Sequence, residues 1–314
     1  FDLEGMRHVG VHVTCHAKLN LTLKVYGKRP DGYHDIISVM QSIDLSDKLY
    51  IEKSDTPGIQ IACDNEAVPS DESNLIWKAA ENFARHVDKS EFGLNISLSK
   101  GIPVKGGLAG GSSDAAGTIV GLNALWDTGL KDNELLGICA ETGSDVPFCL
   151  IGGTALVRGR GEILESLPQP IILMRDGPGA FLLVIPSSEV ETANAYNLLD
   201  KYREKDARKW ESLNEEYYAI RDYWVNGILN HDFALMLVND FTDPVLAEYP
   251  ELKKIHDNLR NHAGLAVLTG SGSCMFAYFS RVLDAMSYTS IYKPVDDEAV
   301  ILTHPVDDGV KIMG

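Results

Sequence analysis

Four glycines, Gly106, Gly107, Gly110 and Gly111, fall within six residues, and Ser112 and Ser113 follow directly. Glycine lets the backbone take positive φ and approach a ligand closely. A glycine loop that feeds a helix presents free N–H groups and the positive end of the helix dipole, which together cradle a phosphate. The alternative is a flexible turn that only precedes a helix. Neither the Walker A pattern nor the dinucleotide pattern G-x-G-x-x-G occurs. Three further places carry reactive side chains. Lys18 and Asn20 stand two apart in an alternating stretch, and hence on one face of a strand; a lysine there is ordinarily solvated. Tyr33 and His34 follow the turn residues Pro30-Asp31-Gly32 and offer an aromatic face and a ring nitrogen, or simply a surface hairpin. Asp145 precedes Val146-Pro147, which reads as an N-cap with proline in the first turn.

The elements that must hold these residues are legible from periodicity. Val11 to Val25 alternates apolar and polar throughout, a half-buried strand long enough to contain a bulge. Residues 36–53 and 92–98 read as further strands, the latter delivering the chain into the glycine loop. Asn74 caps a helix to about His86. Ser112 or Ser113 can cap the next helix, in which Ala115, Ile119, Leu122 and Trp126 form one face. Residues 131–139 suggest a short helix. Leu167 to Gly179, with three prolines, is expected to cross between a first domain of residues 1–165 and a second of 166–314. A charged and aromatic block, 202–232, with Trp210, Tyr217, Tyr218 and Trp224, is expected to be helical. One helix is expected from about Leu246 to Asn261. Residues 264–278 read as strand, glycine turn, strand, and Gly270 and Gly272 mark either a tight hairpin or a second ligand approach.

Composition narrows the class. The chain has 314 residues, and 28 basic against 45 acidic side chains give a net charge of −17. Such a chain is a poor nucleic-acid binder, because phosphate contact needs clustered cations. An anion site must then be built locally from backbone N–H groups and a few lysines. The five cysteines form no C-x-x-C pair, so a disulfide framework or zinc site is not expected and a reducing, cytoplasmic setting is. No apolar run has membrane-spanning length and no signal-peptide pattern is seen.

Taken together, the motifs resemble those of the GHMP small-molecule kinases, whose central motif corresponds to Pro103-Val-Lys-Gly-Gly-Leu-Ala-Gly-Gly-Ser-Ser113. Within that superfamily the sequence is most similar to the 4-diphosphocytidyl-2-C-methyl-D-erythritol kinases, through Ala17-Lys-Leu-Asn-Leu21, Arg29-Pro-Asp-Gly-Tyr-His34, Ser112 to Ala116, Gly143-Ser-Asp-Val-Pro-Phe148 and Thr269-Gly-Ser-Gly-Ser273. The resemblance implies an α+β, two-domain fold: an N-terminal domain like domain 2 of ribosomal protein S5, a C-terminal ferredoxin-like domain, and the active site in the cleft between them. It implies transfer of the ATP γ-phosphate to the 2-hydroxyl of the methylerythritol unit, in non-mevalonate isoprenoid synthesis, with Mg²⁺. Asp145 takes the position of the catalytic aspartate and Lys18 that of its partner. Asn20, Tyr33 and His34 take substrate positions, and Tyr196 is the candidate for stacking on cytosine. Lys100, Pro103, Val104, Lys105, Gly106, Gly107, Leu108, Ala109, Gly110, Gly111, Ser112 and Ser113 take the ATP positions, with the metal contact open between the two serines. Lys105 departs from the small residue usual there. The expected partner is the small-molecule acceptor, with neither nucleic acid nor membrane, and the chain a monomer or homodimer.

Overall fold

A computed structural model describes residues 10–104, 106–168, 179–204, 213–227 and 233–313. In chain order the first part comprises β1 (Val11–Lys28), β2 (His34–Lys53), β3 (Gly58–Cys63), α1 (Leu75–His86), β4 (Gly93–Ser99), α2 (Gly110–Leu125), α3 (Asp132–Thr142), α4 (Val146–Ile151), β5 (Thr154–Gly159) and β6 (Ile163–Leu167). The rest comprises β7 (Ala180–Pro186), α5 (Thr192–Glu204), α6 (Leu213–Asp222), a π-helical turn at Tyr223–Gly227, α7 (Phe233–Met236) and β8 (Val238–Asn239). Then follow α8 (Thr242–Glu248), α9 (Pro250–Ala263), β9 (Val267–Leu268), β10 (Met275–Phe279), α10 (Val282–Ile291), β11 (Glu298–Thr303) and β12 (Val310–Met313).

Two sheets organise these elements. The first runs β12-β1-β2-β4-β3, with β5 and β6 continuing from β2 and β8 lying beside β1. The second runs β11-β7-β10-β9. With α5 after β7 and α10 after β10, that is the β-α-β-β-α-β arrangement of a ferredoxin-like unit. The expected boundary after residue 165 falls inside β6, and β12 rejoins the first sheet beside β1, so the end of the chain closes the N-terminal unit.

β1 explains how the halves meet. Its pairing with β2 shifts register between His16 and Ala17 and again between Asn20 and Thr22. Val13 and Cys15 pack with α1 and α2, whereas Ala17, Leu19 and Leu21 pack with Phe181, Leu183 and Phe276 of the second sheet. The apolar residues of β1 thus pass from the helical layer to the other sheet within one strand. Both faces are consequently covered between Ala17 and Leu23.

α1 begins as its sequence implies: the Asn74 side chain accepts from Ile76 N at 2.9 Å. Ala115, Ile119 and Leu122 of α2 are fully buried. Gly117 lets α2 sit close to β1, since a Cβ there would lie 2.3 Å from Cys15 Sγ. Other expectations change. α2 starts at Gly110 with Ala109 as its N-cap, so neither serine caps it. The helix expected over 246–261 is two, α8 and α9, parted at Tyr249 because Pro250 can only open a new helix. In α6, Tyr217 is buried and Tyr218 exposed, and Trp224 beyond it is buried; Trp210 and most of the 167–179 crossing lie outside the described residues. Among the described residues, no helix is long and apolar enough to cross a membrane.

Candidate active site

A cavity of about 1080 Å³ lies between the glycine loop, the β1–β2 turn, α5 and the β9–β10 turn. Lys18, Asn20, Tyr33, His34, Asp145 and Tyr196 all line it, as do Lys100, Pro103, Val104 and residues 106–112. Ser113 does not, and Lys105 lies outside the described residues.

Lys18 is the centre of the arrangement. Its alternating context suggests a solvated side chain, yet it is only 3% exposed. The β9–β10 turn covers it: Asn20 N donates to Thr269 Oγ1 at 3.0 Å, and Gly270 N donates to Asn20 Oδ1 at 2.9 Å. Lys18 Nζ donates to the same Asn20 Oδ1 at 2.6 Å and lies 3.6 Å from Asp145 Oδ2. Asn20 Nδ2 donates to Ser38 Oγ. Asn20 thus spends most of its polar capacity orienting Lys18 and tying the halves together. Asn239 holds the same turn, donating to the carbonyls of Leu268 and Gly270.

Asp145 occupies the N-cap position of α4, but its side chain makes no capping bond. A third of that side chain is exposed to the cavity while Lys18 holds it from behind. The capping explanation for this aspartate therefore fails, and what remains is a carboxylate paired with a buried ammonium. Tyr196 stands nearby: burial, and then the charge of Asp145, push its phenol up to about 12, so it stays protonated.

The glycine loop works in two ways. Gly110, Gly111 and Ser112 open α2, and their N–H groups have no carbonyl four residues back within the helix. Such free N–H groups at a helix start can cradle a phosphate. Gly106 and Gly107 instead face the other half of the protein. A Cβ on Gly107, at φ +80°, would lie 2.3 Å from Thr269 O, and one on Gly270 would lie 3.0 Å from Gly107 Cα. Lys18 N donates to Leu108 O, locking the loop to β1. Ser113 Oγ donates to His16 O at 2.7 Å in the interior, whereas Ser112 faces the cavity.

Lys100 carries no free ammonium for a phosphate. It is paired with Asp47 and, at 3.1 Å, with Asp114, all three buried. Burial alone would lower its pKa; Asp114 and Asp47 outweigh that and raise it. Asp47 also accepts from Gly101 N and Ile102 N at 2.7 and 2.8 Å. Asp47 and Asp114 carry no local sequence signal, because their partners lie 53 and 14 residues away.

At the far end, Arg160 lies 5.1 Å above the exposed Tyr33 ring. His34 is buried, stacked on Tyr196 (ring centroids 4.8 Å apart, planes at 24°), and its Nε2 lies 3.0 Å from Asp200 Oδ1. Tyr196 therefore gives one face to His34 and Tyr33 carries Arg160 over its ring, while both line the cavity. Asp200 was not singled out by sequence, although its spacing of four residues from Tyr196 on α5 puts it on the same side of that helix. Arg203 anchors α5, donating to Val25 O and to Asp240, both at 2.7 Å.

Comparison with known proteins agrees with this architecture and identifies its class, that of small-molecule kinases. The GHMP kinases N terminal domain matches residues 74–153 and the GHMP kinases C terminal domain residues 226–287. The chain is 38% identical over 305 residues to the 4-diphosphocytidyl-2-C-methyl-D-erythritol kinase of Caldanaerobacter subterraneus subsp. tengcongensis, covering 96% of this chain and 99% of that one. It is 34% identical over 311 residues to the same kinase of Nostoc sp., covering 95% and 96%. A crystal structure of 4-(cytidine 5'-diphospho)-2C-methyl-D-erythritol kinase superposes with a TM-score of 0.67 at 26% identity, covering 93% and 99%. The chain belongs to the 4-diphosphocytidyl-2-C-methyl-D-erythritol kinase family of the GHMP kinases.

Proposed function

We infer that this protein transfers the γ-phosphate of ATP to the 2-hydroxyl of 4-diphosphocytidyl-2-C-methyl-D-erythritol, releasing the 2-phosphate and ADP, in non-mevalonate isoprenoid precursor synthesis. The observation that carries this reading is the Lys18–Asp145 pair, set in one cavity between a helix-opening glycine loop and the Tyr33–His34 turn. Phosphoryl transfer asks a protein mainly for positioning and charge neutralisation. The first-turn N–H groups of α2 hold the phosphates. Asp145 accepts the proton of the attacking hydroxyl. The Lys18 ammonium, 3.6 Å from Asp145, orients that carboxylate and offsets charge on the transferred group. Tyr33 and His34 receive the pyrimidine end of the acceptor.

Mg²⁺, when bound, would supply further charge neutralisation at the phosphates. The residues fit such an ion. Ser112 is the loop serine with access to the cavity, and its hydroxyl is the side-chain oxygen that would help hold it.

The test is ADP release from purified protein with ATP and Mg²⁺ across a panel of acceptors: the cytidine diphosphate methylerythritol, mevalonate, homoserine and simple sugars. Turnover is expected with the first alone, and turnover only with another alcohol overturns the substrate. Asp145→Ala is expected to fold normally and to lose roughly 10²–10⁴-fold in kcat; full activity in that variant removes Asp145 from the mechanism.

A further inference from the structure

We propose that Asp200 is a specificity-determining positioning residue: it holds His34 in the Nε2–H tautomer, and so selects an acceptor whose base offers an amino group, cytosine rather than uracil. The proposal rests on the acceptor assignment above and extends it to a residue on the opposite wall.

The geometry defines the tautomer. A carboxylate has lone pairs and no hydrogen to give, so a ring nitrogen 3.0 Å from Asp200 Oδ1 must be the donor. In a neutral imidazole the other nitrogen, Nδ1, is then an acceptor. No described residue hydrogen-bonds to His34 Nδ1, and it is not among the fully buried unpartnered atoms, so it is left to the cavity that His34 lines. The ring is also fixed in orientation. Its side chain is only 5% exposed, and Tyr196 stacks on its face. Tyr196 and Asp200 stand one turn apart on α5, so a single helix supplies both the face contact and the edge contact. Arg203, on the same helix, is bonded to Val25 O and Asp240, and Asp240 accepts from Val25 N at 2.8 Å. This clamp ties α5 to the strand that leads into the His34 turn.

The consequence follows from pairing rules. An acceptor nitrogen at the 4-position of a pyrimidine takes a hydrogen from the amino group of cytosine. Against the 4-keto oxygen of uracil it sets lone pair against lone pair. A site built to hydrogen-bond one group discriminates against an analogue that leaves it unpaired. Asparagine at position 200 can present either its oxygen or its NH₂ to the ring and no longer enforces the tautomer.

Two measurements on the full chain test this. Long-range ¹H–¹⁵N spectra of ¹⁵N-histidine-labelled protein, with His34 assigned by its loss in His34→Gln, read the tautomer without any ligand. The Nε2–H form is expected in the wild type, and a mixed or inverted form in Asp200→Asn; an Nδ1–H wild type, or no change in Asp200→Asn, overturns the proposal. The second measurement compares kcat/KM for the cytidine and uridine forms of the acceptor. The wild type is expected to favour cytidine by about tenfold or more. Asp200→Asn and Asp200→Ala are expected to lose most of that ratio, with a raised acceptor KM and an unchanged ATP KM. An unchanged ratio, or a matching rise in the ATP KM, overturns the specificity role. If the wild type phosphorylates neither form, the acceptor assignment is what has failed, while the spectra still decide the tautomer.

Discussion

Replacing Gly107 by alanine separates the two jobs of the glycine loop. The residue sits at φ +80°, where an L side chain costs roughly 1–2 kcal/mol. Its new Cβ would stand 2.3 Å from Thr269 O and 3.1 Å from Thr269 C. Ordinary contact needs about 3.5 Å, so the loop and the β9–β10 turn must part by ~1 Å, at an overpacking cost of roughly 1–3 kcal/mol. The sum, about 2–5 kcal/mol, corresponds to a Tm loss of roughly 3–8 °C for a chain of this size. The same displacement strains the bond from Gly270 N to Asn20 Oδ1 and that from Lys18 N to Leu108 O, so the ammonium loses its fixed place beside Asp145 and kcat falls with Tm. Gly111→Ala is the control. Its nearest neighbour is Leu75 Cδ1 at 3.8 Å, and alanine is the better helix former there. Tm is expected to hold or rise, while the ATP KM increases because the methyl group faces the phosphate cradle. Thermal melts and steady-state kinetics on both variants decide it. A Gly107→Ala protein with unchanged Tm and kcat, or a Gly111→Ala protein equally destabilised, refutes the division.

Other expectations concern the ion cluster and the serines. Burial, then the Asp47 carboxylate, push Asp114 from 3.8 up to about 8 despite the Lys100 ammonium. The folded protein then keeps a proton that the unfolded chain releases above about pH 4, so stability falls as pH rises towards 8, by up to about 1.4 kcal/mol per unit, and levels off beyond. Asp114→Asn removes that proton, and its melting temperature relative to wild type is expected to climb between pH 5 and pH 8; a flat or falling difference counts against the assignment. Ser113→Ala should lose about 1 kcal/mol of stability with the bond to His16 O and leave the ATP KM alone. Ser112→Ala should melt normally but need several-fold more Mg²⁺ for half-maximal rate, which a metal titration reads.

The parts of this protein that were legible in its sequence are those whose cause is local. Asn74 caps α1 with its own side chain, and the periodicity of Ala115, Ile119 and Leu122 marks the buried face of α2. Pro250 gave a local signal too, and the long apolar periodicity across it misled: spacing continued where the backbone could not. Ser112 and Ser113 fit the cap preference, but Ala109 at φ +58° opens α2 earlier, because the glycine loop arrives in a left-handed turn.

Lys18 shows why the rest was hidden. Alternation assigns a lysine between apolar neighbours to the wet face of a strand, and that inference holds for a strand with only one covered side. β1 has two, because from Ala17 onward its apolar residues pack on a second sheet whose turn lies some 250 residues further on, with Gly270 bonded to Asn20. The polar face of β1 is thus not a surface but the seam between the two halves, and a polar side chain in a seam persists only if it is paired. Asn20, Asp145 and the β9–β10 turn supply that pairing, and none is visible from Lys18 alone. The same reasoning applies to Lys100, whose counter-ions come from β2 and α2. Both lysines are buried where separate elements converge on the glycine loop, and the difference between them is chemical. Both partners of Lys100 are buried away from solvent, whereas Asp145, the ion-pair partner of Lys18, is a third exposed to the cavity, so it is the Lys18 pair that a transferred phosphate can reach. On the mechanism proposed above, that asymmetry favours Lys18 as the active member and Lys100 as the structural one.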